Sequence, residues 1–137
     1  MAEIEAFDFL YMPSTDVARD LGFYRDVLGA EIVFAIEAFG TRVAQVKMTD
    51  AGPRLLLAGH MEGEAPVVLH RVDDLEAAVA ELEERGAEIE AEFGFPHGPA
   101  AALRTPGGQR LAFYELTRPE ADERLGGRMD FEPEPAS

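Results

Sequence analysis

The sequence contains no cysteine, which removes disulfide frameworks and thiol nucleophiles from consideration and agrees with a cytoplasmic location. Serine occurs only at Ser14, ahead of a helical segment, and at Ser137, the last residue. Neither is placed for a serine–histidine–aspartate hydrolase. Lysine is nearly missing: Lys47 stands alone among arginines, and the net charge is −15. Clustered basic residues are needed to neutralise phosphates, so no nucleic-acid partner is expected. No stretch approaches the roughly 18 apolar residues of a membrane-spanning helix. The acidic start over residues 1–5 also lacks the positive charge of a signal peptide. No membrane partner is expected.

What is present is a repeat. Asp16-Val17 leads through a helical pattern to Leu28-Gly29-Ala30-Glu31-Ile32, and Asp74-Leu75 leads through another to Arg85-Gly86-Ala87-Glu88-Ile89. Each copy opens on an apolar stretch and leaves by the same Gly-Ala-Glu-Ile step. The 47% apolar content is enough for a core. Strands are expected at residues 7–12, 31–36, 42–48 and 54–58, with a turn near Phe39-Gly40. Residues 59–65 read as a linker. The second copy gives strands at 66–72, 88–92, 100–104 and 109–116.

The first helix, near residues 16–28, places Val17, Leu21, Tyr24 and Leu28 on one face. Ser14-Thr15 offer its N-cap and Gly29 its C-terminal stop. The second, near 73–85, carries Leu75, Val79 and Leu82, with Asp73 and Glu76 as a capping pair. Thr117 to Glu120 has capping-box spacing for a short helix ending near Gly126-Gly127. The Glu132-Pro133-Glu134-Pro135 end has the composition of a frayed tail.

A twofold β-α-β-β-β order with the segment Phe23-Tyr24-Arg25-Asp26-Val27-Leu28-Gly29 resembles the vicinal oxygen chelate superfamily. That group includes glyoxalase I, extradiol dioxygenases, fosfomycin-resistance enzymes and bleomycin-resistance proteins. Val72-Asp73-Asp74-Leu75 and Thr105-Pro106-Gly107-Gly108-Gln109-Arg110 carry the likeness into the second copy. The resemblance implies an α+β fold: tandem βαβββ units forming a curled mixed sheet around a central cleft, with helices outside. It implies a single domain of two units, about residues 5–59 and 66–117, plus a C-terminal tail, 118–137. It also implies a homodimer, since strands of two chains commonly complete each cleft.

Metal-dependent members place His or Glu on the first and fourth strands of each unit. The matching positions here are Phe9, Leu56, Val67 and Ala112, none of which can coordinate a metal. No metal and no cofactor are therefore expected, and glyoxalase, dioxygenase and fosfomycin-type activities lose their usual site.

Residues two apart on a strand share a face. Phe9 with Tyr11, Val67 with Leu69 and Arg71, Leu56 with Ala58, and Arg110 with Ala112 and Tyr114 should line the cleft. Such a wall suits a planar ligand, with an anionic or carbonyl group near Arg71 or Arg110. The opposing reading is that the apolar members fill a closed core. His70 is off this parity and should face the helices or an interface. His60 and His97 read as surface residues. Glu37 and Glu115 are the nearest acid–base candidates. Three functions stay open: a metal-independent small-molecule binding protein, an enzyme with a relocated or absent metal site, and an accessory domain recognising a protein.

Overall fold

The computed structural model describes residues 3–38, 40–61, 63 and 65–136. Phe39 of the expected turn, and Glu62 and Glu64 of the expected linker, lie outside the described residues. The element order is β1 (Ile4–Pro13), α1 (Val17–Asp26), β2 (Glu31–Ala38), β3 (Thr41–Lys47) and β4 (Arg54–Ala58), then β5 (Val67–Val72), α2 (Leu75–Glu84), β6 (Ile89–Phe95), β7 (Gly98–Arg104), β8 (Arg110–Glu115) and a short α3 (Ala121–Leu125). The α+β class and the tandem βαβββ order follow the repeat.

Two compact units result. One holds Phe9–Pro66 with the chain from Glu123 onward, and is called the α1 unit below. The other holds the chain up to Asp8 with Val67–Asp122, and is called the α2 unit.

In the α1 unit the strands lie in the order β2-β3-β4-β1, with β4 parallel to β1 and the other pairs antiparallel. One face packs on α1: Val17, Ala18 and Leu21 meet Ala35, Ala44, Val46 and Leu57. Leu21 is fully buried, which contributes about 2 kcal/mol to holding α1 in place. Asp16, not Ser14 or Thr15, is the N-cap, its carboxylate accepting from the Arg19 N–H at 3.1 Å. Ser14 instead donates to Asp20 Oδ2 at 2.6 Å. The helix stops at Asp26, so Leu28 falls outside it and is 47% exposed rather than on the apolar face. Gly29, at φ 71, lets the Ala30 N–H turn back to the Tyr24 carbonyl.

The α2 unit repeats the plan as β5-β8-β7-β6, with β5 parallel to β8. Its helix-side cluster is Val72, Ala78, Leu103 and Phe113, with Leu75, Leu82, Ile89 and Leu111 packed against it. Ala78, which the expected stripe left out, is the buried residue of α2, and Asp74 rather than Asp73 caps it, accepting from Ala77 N–H at 3.0 Å. The repeat extends to an irregularity. Register shifts between Ile32 and Phe34 in β2 and between Ile89 and Ala91 in β6, so each bulge sits at the same point of its unit.

The expected frayed tail is ordered instead. Gly127 N–H donates to Val33 O, Ala35 N–H to Arg128 O, Asp130 N–H to Ala35 O, and Glu37 N–H to Asp130 Oδ2. Residues 127–130 thus run along the outer edge of β2, with Met129 in a parallel bridge to Ala35. Phe131 enters the α1-side core under the Arg42 guanidinium, 4.5 Å from the ring centre. Glu134 N–H donates to Ala18 O at 2.8 Å, and a Cβ added at Gly22 would overlap the Glu134 carbonyl. A buried aromatic and a fixed set of backbone hydrogen bonds outweigh the Glu-Pro composition.

Candidate functional site

The sheet faces turned away from the helices carry the candidate residues, and strand register decides which of them are neighbours. In the α1 unit Tyr11 lies beside Leu56, and Gln45 pairs with both Leu56 and Phe34. Phe9 and Tyr11 are 5% and 1% exposed, and Leu56, Gln45 and Phe34 are fully buried. Gln45 and Phe34 were not among the expected wall residues. Alternation within β2 and β3 does not say which parity shares a face with Leu56; register does, and β2 is irregular just before Phe34. Burial pushes the Tyr11 phenol up to about 12. The exposed His60 ring stands edge-on to Tyr11 at 6.1 Å.

In the α2 unit Leu69 lies beside Ala112, and Arg71 beside Tyr114. Val67, Leu69, Ala112 and Tyr114 are all buried. Tyr114 Oη donates to Asp8 Oδ2, and Arg71 Nε forms ion pairs with Asp8 at 3.5 Å and Glu5 at 3.7 Å. Burial first, and then the bond to Asp8, raise the Tyr114 pKa far above that of a free phenol. Phe95 closes on Tyr114 at 5.1 Å with its ring nearly perpendicular. This polar corner holds two carboxylates for one guanidinium. Glu5 and Phe95 lie beyond the apolar pattern because β1 begins earlier, and β6 runs later, than it suggests, and Asp8, inside the expected strand, is off the parity of Phe9 and Tyr11. Arg110 is half-buried and pairs in register with Arg104 at the far end of the same strand pair.

The remaining candidates have structural partners. His70 faces the helix side, as its parity predicts, between Phe7 at 5.3 Å and Phe113 at 6.0 Å. His97 is not a surface residue: it is 3% exposed, and its Nε2 lies 2.6 Å from Asp122 Oδ1. Arg118 bonds the Phe95 and Pro96 carbonyls, and Thr117 N–H and Arg118 N–H both donate to His97 O. The Phe95–His97 turn is therefore clamped, which its Pro-His-Gly-Pro sequence did not reveal. Glu115 accepts from Leu75 N–H at 2.9 Å, and Glu37 is paired with Arg42 at 3.3 Å. Neither is placed as a general base.

A family model described as the glyoxalase/bleomycin resistance protein/dioxygenase superfamily matches residues 6–113. The chain belongs to this superfamily. Among solved structures of the superfamily fold, methylmalonyl-CoA epimerase from Mycobacterium tuberculosis is 17% identical, with 86% of this chain and 92% of that one aligned at a TM-score of 0.70. A Streptomyces coelicolor methylmalonyl-CoA epimerase variant in complex with 2-nitronate-propionyl-CoA is also 17% identical, covering 85% and 100% at a TM-score of 0.69. An antibiotic binding protein from a Streptomyces species is 23% identical over 85% of this chain and all of that one, at a TM-score of 0.41. No curated protein matches the chain.

The superfamily's metal site does not fit the residues present. Register confirms that Phe9 and Val67 are equivalent, as are Leu56 and Ala112, and none has a donor atom. Among the described residues no group of three or more His, Asp or Glu side chains is placed to hold a metal ion. No helix among them is long and apolar enough to cross a membrane.

Proposed function

We propose that this superfamily member is a metal-independent small-molecule binding protein of the bleomycin-resistance kind. It would hold a planar, partly aromatic ligand on the sheet faces that carry Phe9, Tyr11, Leu56, Val67, Leu69, Arg71, Arg110, Ala112 and Tyr114. One observation carries the reading. At the four register-equivalent positions where a metal would be held stand Phe9, Leu56, Val67 and Ala112, and their same-face neighbours are Tyr11, Phe34 and Tyr114. Aromatic and aliphatic walls bind by area burial and stacking, not by coordination.

The polar corner refines the ligand chemistry. An anionic or carbonyl group of the ligand would lie near Arg71, which also faces Glu5 and Asp8, or near Arg110. The working form is a homodimer, as edge strands of this fold are commonly completed by a second chain. Light scattering at micromolar concentration should give twice the chain mass.

The test uses bleomycin and a set of planar aromatic carboxylates, titrated by calorimetry with EDTA present. Saturable binding that EDTA leaves unchanged is expected for at least one of them. Phe9→Ala should weaken it at least tenfold, since truncating a central aromatic costs on the order of 2 kcal/mol. Arg110→Gln, at a half-exposed position, should weaken a carboxylate ligand while leaving the thermal transition in place. Binding that requires an added divalent ion would overturn the reading in favour of a metal enzyme.

A further inference from the structure

The two units differ at one groove. In the α1 unit, the space between α1 and the outer edge of β2 is filled by the chain's own residues 127–134, with Phe131 buried beneath Arg42. Strand register identifies the same place in the α2 unit. Ala35, Ile36, Glu37, Arg42 and Val43 correspond to Glu92, Phe93, Gly94, Pro99 and Ala100. The two N-caps, Asp16 and Asp74, make Val17, Ala18 and Leu21 equivalent to Leu75, Glu76 and Val79.

Those α2-unit residues, with Glu115, line an open groove of about 610 Å³. Among the described residues no strand pairs with the outer edge of β6. The place where one unit seats a strand and an aromatic anchor is thus open in the other.

We propose that this groove docks an extended segment of a partner protein, which adds along β6 and inserts a bulky apolar side chain over Pro99 and Val79. The flanking charges fix the chemistry of that segment. The tail meets alanines in the α1 unit, at Ala18 and Ala35, but the equivalent residues here are Glu76 and Glu92. An edge that no strand pairs with among the described residues, lying beside carboxylates, selects lysine or arginine on either side of the anchor. A second copy of this chain does not fit. Its tail carries Asp130, Glu132 and Glu134, and its own β6 carries Glu90 and Glu92, so either would set like charges against each other.

A labelled ten-residue peptide provides the probe, copying residues 127–136 with Asp130→Lys, Glu132→Lys and Glu134→Lys. It is titrated against the full chain by fluorescence anisotropy. Saturable binding is expected, with hydrogen-exchange protection at the amides of β6. The same peptide with Phe131→Ala should bind at least tenfold more weakly. A protein carrying Glu76→Lys and Glu92→Lys, both at exposed positions, should lose tenfold or more while melting as the parent does. The unmodified acidic peptide should not bind. Equal affinity of the phenylalanine and alanine peptides would mean diffuse charge attraction and would overturn the proposal. So would binding unaffected by the double variant, which would place the peptide at β2, or no binding at all, which would leave the β6 glutamates as guards of a bare edge.

Discussion

The α1 and α2 units share cap, bulge and register, yet finish their outer edges in opposite ways. Beside β2, alanines at 18 and 35 and a glycine at 22 let the tail come within hydrogen-bonding distance of helix and strand. Beside β6, glutamates occupy the positions equivalent to both alanines, and no segment of the chain follows that edge among the described residues. A duplicated unit thus has one half closed by sequence added after the repeat. The closure depends on small residues underneath it as much as on the tail itself. The difference also shows why chain halves and compact units do not coincide: Glu123 onward belongs with Phe9–Pro66.

The largest effect should come from breaking the covered edge. Phe131→Ala removes a buried ring from the α1-side cluster and should cost about 3–5 kcal/mol in urea unfolding. Val79→Ala, at the equivalent open groove, should cost about 1 kcal/mol or less. Gly22→Ala sharpens the test. In an ordinary helix that change stabilises by about 1 kcal/mol, but here the new Cβ meets the Glu134 carbonyl. It should destabilise and expose residues 128–136 to protease. A stabilised Gly22→Ala protein would show that the tail does not lie on α1.

Much of this comparison was legible in the sequence, and the remainder was hidden for identifiable reasons. The repeated Gly-Ala-Glu-Ile step and helical spacing gave the tandem βαβββ order, and alternation grouped residues within each strand, whereas the pairing of Tyr11 with Leu56 and of Arg71 with Tyr114 comes from strand register. The Glu-Pro composition of the tail predicts fraying, but one aromatic, Phe131, anchors it in the core and Gly22, inside a helix, leaves room for it. Asp73 and Asp74 are adjacent, so spacing alone does not say which one caps. Glu5 lies outside the apolar run of β1 and Asp8 is off the parity of Phe9 and Tyr11, and their bonds to Arg71 and Tyr114 connect residues more than sixty positions apart. Local patterning carries no information about such pairs.

The second prediction separates the two buried phenols. Tyr11 in the α1 unit is raised to about 12 by burial, while Tyr114 in the α2 unit is raised by burial and by its bond to Asp8. A phenol whose folded-state pKa is raised binds its proton more tightly when folded. Its contribution is whole below the unfolded value near 10 and declines as pH rises toward the folded value. For Tyr11 the decline from pH 10 to 12 should approach 3 kcal/mol, from about two units at 1.4 kcal/mol each. Tyr11→Phe should flatten the stability profile over that window by this amount. In Tyr114→Phe the loss of the Asp8 bond should already appear at neutral pH, as about 1–2 kcal/mol. A Tyr114→Phe protein of parental stability at pH 7 would remove that bond from the account.

The smallest effect concerns the helix caps, which look interchangeable and are not. Asp16 accepts from Arg19 N–H and Asp74 from Ala77 N–H, at 3.1 and 3.0 Å. Replacing either by Ala forfeits an N-cap worth about 1 kcal/mol. In α2, however, the Glu115 carboxylate also accepts from Leu75 N–H at 2.9 Å, so a second acceptor remains at the positive end of that helix. Asp74→Ala should therefore cost a few tenths of a kcal/mol less than Asp16→Ala when both are measured by urea unfolding. The double variant Asp74→Ala, Glu115→Gln should then cost more than Asp16→Ala, because it weakens both acceptors at once. Equal costs for the two single variants would mean that Glu115 contributes nothing to holding α2, and that the N-termini of the two helices are equivalent in energy as well as in position.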